Sequence, residues 1–339
     1  MLLTFSRQKL ASTFAILTSL ALASVGQAQS LPKDVPAGTA LVVADQNEAL
    51  QTLMKASGEH DRLASKATYA NFLGGPAILE AFRAGALDLA TVGNVPPIQA
   101  QAAGELIPVV AAVATPETDY TFAVRPGLSI NKLEELKGKK IAYAEGSGRQ
   151  AFVLNALKLA GLKRDDAELI PLRVADFPDA IRSGQVDVAP LNEPHLSRYL
   201  RDYADKKASA IPKSEHGRLP RAVSYLYASG KSLENPAKAA AILDFVGKWI
   251  VAKQWSYSNS DAWVDAYYVK GQKLSAAQGR AIVDSEGKPS FPSLSSLIPY
   301  QQGLVDVIYE AGDLPKKLDA KAEFDVRFDE VIAAAQRTN

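Results

Sequence analysis

Short apolar runs alternate with amphipathic stretches along most of the chain. Ala40-Leu41-Val42-Val43-Ala44 is apolar throughout, as a strand buried in a parallel sheet would be. Ile78, Leu79, Phe82 and Ala86 then form an apolar stripe behind Gly75-Pro76, where a proline in the first helical turn loses no hydrogen bond. Leu87-Asp88-Leu89-Ala90 predicts the next strand. The order repeats farther on. Lys132–Lys137 predicts a helix closed by Gly138, Lys140–Ala144 a strand, and Ser147 the N-cap of a helix carrying Phe152, Leu154, Leu157 and Leu159 up to Gly161. Strand, helix and strand in succession predict an α/β fold with largely parallel sheets. From about Pro236 the pattern is mostly helical, including 237–252 with Ile242, Phe245, Val246, Trp249 and Ile250.

One internal echo organises the rest. The segment 81–90, AFRAGALDLA, aligns with 180–189, AIRSGQVDVA, and Ala, Arg, Gly, Asp and Ala coincide. Each copy reads as a helix end, a glycine turn and a strand. The strands lead into Thr91-Val92-Gly93-Asn94-Val95-Pro96 and Pro190-Leu191-Asn192-Glu193-Pro194. Two similar lobes, each offering a loop at a strand's carboxyl end, are what a cleft binder needs. The expected division is lobe I over 39–115 plus 229–339 and lobe II over 116–228. The chain then crosses twice, near Thr115–Val124 and Val223–Ala228, and two crossings make a hinge.

Length agrees with two domains, since 339 residues exceed the usual size of one. Arg7 and Lys9, an apolar run over 10–25 and Gly26-Gln27-Ala28 predict a secretory signal peptide over 1–28. Lys and Arg number 38 against 37 Asp and Glu, which gives no basic field for nucleic acid. The absence of cysteine excludes disulfides, thiolate metal sites, cysteine nucleophiles and a lipidated cysteine anchor. An exported, unanchored chain is expected in the periplasm.

Candidate chemistry is that of binding. His60, His195 and His216 are far apart without metal-ligand spacing, so no metal, cofactor or catalytic residue is expected. Glu145-Gly146-Ser147-Gly148-Arg149-Gln150 joins a strand to a helix but lacks the Gly-x-Ser-x-Gly spacing of a nucleophile elbow. It reads as an anion nest, where glycines free the backbone and a helix N-terminus presents N–H groups. Arg149 either contacts the anion or pairs with Glu145 on the helix surface. Gly93-Asn94-Val95 offers a second set of backbone donors. Asp45-Gln46-Asn47 suits either a site or a solvated turn, and Tyr120, Tyr225 and Tyr227 lie near the proposed crossings.

These segments resemble the aliphatic sulfonate-, taurine- and nitrate-binding proteins of ABC importers. The resemblance runs over roughly 40–335 and is carried by Gly75-Pro76 through Ala81, Gly85, Asp88-Leu89, Gly93-Asn94-Val95-Pro96-Pro97-Ile98, Leu136 to Ala142 with Gly146-Ser147, and Gly184, Val186-Asp187 and Pro194. It implies a two-lobed, type II-like periplasmic binding protein with its ligand in the cleft. It also implies an inner-membrane ABC permease as partner, and a monomer. The candidate ligand-binding set is Gln46, Asn47, Gly75, Gly93, Asn94, Val95, Tyr120, Gly146, Ser147, Gly148, Arg149, Asn192, Glu193 and Tyr225. Departures bear on the ligand. Asn192 stands where sulfonate binders often carry Trp, and Glu145 adds an acidic group, which suits a zwitterion better than a simple alkyl sulfonate. The alternatives are a binder of nitrate or a thiamine-precursor pyrimidine, or an enzyme like the desulfinases of this fold, which use a cysteine this chain lacks.

Overall fold

A computed structural model describes residues 30–118 and 120–337. The expected signal peptide at 1–28 lies outside the described residues. Ten strands form two sheets. The first contains β1 (Ala40–Gln46), β2 (Lys66–Phe72), β3 (Leu89–Val92), β4 (Val109–Ala114) and β10 (Val223–Ala228), in the order β2-β1-β3-β10-β4. The second contains β5 (Thr121–Val124), β6 (Lys140–Tyr143), β7 (Glu168–Pro171), β8 (Val188–Leu191) and β9 (Ser209–Ala210), in the order β7-β6-β8-β5-β9. In each sheet the fourth place is held by a strand from the far side of a crossing, and it runs antiparallel to both neighbours.

The internal echo is therefore structural. Helix α1 (Ala49–Ala56) follows β1. Helix α2 (Gly75–Arg83) leads through Gly85 into β3, as α5 (Phe177–Ser183) leads through Gly184 into β8. Both glycines are left-handed, with φ of 69° and 79°, a conformation only glycine adopts without strain. The shared aspartates explain themselves too. Asp88 donates its N–H to the Val42 carbonyl (2.9 Å) and accepts the Val42 N–H on its carboxylate (2.8 Å). Asp187 makes the same reciprocal pair with Lys140, at 2.8 and 3.0 Å. Each aspartate staples the third strand of its sheet to the second. The strand expected at 87–90 accordingly begins at Leu89, because Asp88 spends its side chain on the staple.

Helix α3 (Pro96–Ala102) follows β3 and α4 (Gly148–Leu159) follows β6, while α6 (His195–Asp202) and the short α7 (Lys213–His216) flank β9. The chain leaves the first sheet after β4 and returns between β9 and β10. The two passes are paired, with the Thr115 N–H donated to the Ala222 carbonyl (3.2 Å) and the Ala222 N–H to the Glu117 carbonyl (2.8 Å). The return crossing thus precedes Val223. Residues 223–228, grouped above with lobe II, are a buried strand of the first sheet.

The last third is helical: α8 (Gly230–Glu234), the 23-residue α9 (Pro236–Ser258), α10 (Ser260–Trp263), a π-helix over Val264–Gly271, α11 (Ala276–Glu286), α12 (Leu294–Glu310) and α13 (Asp329–Ala335). Phe245, Trp249 and Ile250 of α9 fill the core on the first sheet. Helix α12 serves both lobes. Leu294 and Leu297 join that core, whereas Leu304, Val305 and Ile308 join the core around α4. Pro299 lies between the two halves. The segment 229–339 is therefore not confined to lobe I.

Candidate functional site

A cavity of about 410 Å3 lies where the carboxyl ends of β1, β3 and β8 face one another across the two lobes. Crevices at strand carboxyl ends are the usual binding places of open α/β sheets. Both crossings line it, through residues such as Thr115, Tyr120, Leu219 and Arg221, and α9 closes the lobe I side with Trp249, Lys253, Ser256 and Tyr257.

At its floor the lobes approach backbone to backbone. A Cβ on Gly93 would lie 3.6 Å from the Gly148 Cα, and one on Gly75 3.6 Å from the Gly146 carbonyl oxygen. Behind Gly148 runs α4, twelve residues whose first N–H groups have no earlier helical carbonyl to bind, and whose dipole leaves positive potential there. The Ser147 hydroxyl donates to the Ala144 carbonyl at 2.7 Å, so its proton is directed at the turn and away from the cavity.

Glu145 is exposed, whereas Arg149 is not. It is buried in the cavity wall. Its Nε donates to the Pro190 carbonyl (3.1 Å) and its Nη2 to Asn192 Oδ1 (2.5 Å). The guanidinium sits 4.8 Å from the centroid of the Tyr120 ring. The result is a cation fixed by two strand-end groups and an aromatic face.

Gln46, Asn47, Gly75, Gly93, Tyr120, Ser147, Gly148, Arg149, Asn192, Glu193 and Tyr225 all line the cavity. Three of the expected residues lie outside its lining. Asn94 turns to the hinge, donating to the Tyr300 hydroxyl (2.9 Å) and accepting from Gln301 on its carbonyl (2.8 Å). Val95 is fully buried in the core beside α4. Gly146 gives its N–H to Gln150 Oε1 and supplies the left-handed turn, φ 74°, that aims α4. Tyr225 contributes ring surface only, because its hydroxyl donates to Gln301 Oε1 at 2.9 Å.

Several residues of the site stand outside the candidate set. Asp45 accepts the N–H groups of Gln46, Leu50 and Gln51 and so caps α1; burial pushes its carboxyl pKa up against those bonds. Trp249, Lys253 and Ser256 recur at helical spacing, a signal that could have been extended into a cavity face. His216 is buried against the rings of Phe122 and Phe152 with neither ring nitrogen hydrogen-bonded, and burial pushes its pKa down to about 4. His195 is also held near 4, by burial first and then by Arg149 and Arg198. Among the described residues no cluster of side chains could hold a metal ion.

The family described as NMT1/THI5 like matches residues 75–247, about half of the chain. An Escherichia coli (strain K12) protein named for binding aliphatic sulfonates is 36% identical over 137 residues, 40% of this chain; the match spans 43% of that relative, less than half its length. Among solved structures, the periplasmic aliphatic sulphonate binding protein SsuA from Escherichia coli superposes with a TM-score of 0.70 at 26% identity, covering 86% of this chain and 99% of that one. SsuA from Xanthomonas axonopodis pv. citri, bound to MOPS, gives a TM-score of 0.75 at 24% identity with the same coverage. The fold is that of the two-lobed periplasmic binding proteins. The cavity wall from Trp249 onward lies beyond the family match.

Proposed function

The chain belongs to the NMT1/THI5-like family, and on that premise we propose that it is the periplasmic solute-binding component of an ABC importer. It captures a sulfonate, or a related anionic or zwitterionic organosulfur compound, by closing its lobes. It acts as a monomer, hands the ligand to an inner-membrane permease, and performs no chemistry on it. What carries this reading is the position of Arg149, fixed against Tyr120 beside the N-terminus of α4 at the cavity floor. A sulfonate keeps its charge at any physiological pH and offers three acceptor oxygens. Helix N–H groups and one anchored guanidinium hold such a group without a full set of counter-charges.

The far side of the cavity favours a ligand with a second pole. Asp45 and Glu286 outnumber Lys253 on the lobe I wall, whereas Arg149, Lys213 and Arg221 outnumber Glu117 and Glu193 on the lobe II wall. Charge is thus graded across the cleft in the sense that orients a zwitterion. Stacking of a pyrimidine on Tyr120 is disfavoured, since Arg149 covers that ring.

The test is a thermal-shift screen of ligand-stripped protein against alkyl sulfonates, taurine, aromatic sulfonates, sulfate, nitrate and pyrimidines. A ligand at a hundred times its dissociation constant adds about 2.7 kcal/mol, which raises the melting point by a few degrees. Sulfonates alone should produce the shift. A shift from nitrate or a pyrimidine with none from any sulfonate overturns the reading.

A further inference from the structure

A contact between Arg198 and Gln272 ties the lobes together outside the cavity lining and outside the two crossings. Arg198 projects from α6 in the second lobe, and Gln272 caps the π-helix of the first. A single guanidinium nitrogen, Nη2 of Arg198, donates to the Gln272 carbonyl at 2.6 Å and to Gln272 Oε1 at 2.7 Å. Gln272 is buried, and its Nε2 passes the connection on to the Asn47 carbonyl at 2.8 Å. Asn47 stands in the left-handed turn that ends β1, φ 55°, and lines the cavity. A cation of one lobe is thereby linked, through one side chain, to backbone at the ligand cavity in the other.

We propose that Arg198 and Gln272 form a latch that closes the lobes through protein contacts alone and so sets ligand affinity without touching the ligand. Both acceptors belong to one residue, so a small opening of the cleft breaks both bonds together. Hydrogen bonds to a charged donor are the strong class, and losing such a pair shifts a two-state equilibrium by about tenfold or more. Any ligand that binds the closed form inherits that factor through the closed fraction. The latch follows from geometry and holds whichever anion the cavity takes, so its test needs no ligand.

Because the chain has no cysteine, Asp61→Cys in the first lobe and Asp205→Cys in the second can be labelled with nitroxides without a background. The distance distribution between them, read by double electron–electron resonance on ligand-free protein, reports closure. The otherwise unaltered chain should show a short-distance population. Arg198→Ala and Gln272→Ala should each lower its ratio to the long-distance population about tenfold. The double variant should do no more than either single one, since the two residues act as a pair. Arg198→Lys, a gentler change, should fall between, and Arg201→Ala on the same helix should have no effect. Unchanged distributions in the Arg198 and Gln272 variants, additive effects, or no short-distance population in the parent would each overturn the proposal.

Discussion

Gly93 at the end of β3 and Gly148 at the start of α4 face each other across the cleft so closely that a Cβ on Gly93 would lie 3.6 Å from the Gly148 Cα and 3.7 Å from its nitrogen. The two lobes meet at bare backbone. A Cβ on Gly93 would make ordinary van der Waals contact, whereas one on Gly148 would meet the Tyr120 hydroxyl oxygen at 2.6 Å, and neither residue lies in the left-handed region.

Gly148→Ala should therefore push the Tyr120 ring out of place at the cavity floor. The added methyl would stand 2.6 Å from the Tyr120 hydroxyl oxygen and 3.4 Å from the ring carbons behind it. The expected result is at least a tenfold weaker dissociation constant by calorimetry, for the sulfonate giving the largest thermal shift. Adding Tyr120→Phe removes the nearest clashing atom and should recover part of the loss.

Arg149→Lys should behave as a damaging change despite keeping the charge. An ammonium cannot span the Pro190 carbonyl and Asn192 Oδ1 while lying flat on Tyr120. Affinity for the anion should fall about tenfold or more. The freed Pro190 carbonyl should lower stability by about 1–3 kcal/mol in denaturant titration.

Two buried titratable groups, Glu323 and His216, pull stability in opposite directions with pH. Glu323 is buried with one oxygen unpartnered, and burial pushes its carboxyl up to about 8 although Gln301 donates to the other oxygen. The folded state holds that proton longer than the unfolded one, so the contribution is full below pH 4.5 and is lost as pH rises toward 8. Glu323→Gln should then gain melting temperature over the parent as pH goes from 5 to 8. His216 works the other way. Its folded pKa is depressed to about 4, so its contribution is full above 6.5 and is lost as pH falls through 4. His216→Phe, against two phenylalanines, should flatten the acid side of the calorimetric profile.

The repeated aspartate staples should be unequal. Asp88 also accepts from Ser232 (2.7 Å) and Lys238 (2.5 Å) and is buried, whereas Asp187 is less buried and adds Arg125 (2.8 Å). Asp88→Ala strands several donors in the core and should cost about 1–3 kcal/mol in urea unfolding. Asp187→Ala should cost less.

The echo at 81–90 and 180–189 was legible because one physical device, a left-handed glycine followed by a stapling aspartate, was used twice within a few residues. Gly93 and Gly148 could be placed at the cavity for the same reason: strand, glycine and helix lie together in sequence. What escaped depends on distant partners. The partners that fix Arg149 lie 41 and 43 residues away, and nothing near it in sequence tells a wall cation from a surface one. Val223–Ala228 is an apolar run that would suit either sheet, so its membership was decided by pairing alone. Asn94 was drawn to the site by its neighbours, yet its partners Tyr300 and Gln301 lie on a helix two hundred residues later.

That helix, α12, has a mechanical consequence. Two paired crossing strands on their own would permit both bending and twisting of one lobe against the other. A rod anchored by Leu294 and Leu297 in one core and by Leu304 and Ile308 in the other resists twist. It yields where Pro299 deletes a backbone hydrogen bond. The cleft is thereby expected to swing about a single axis, as a door does on its pin.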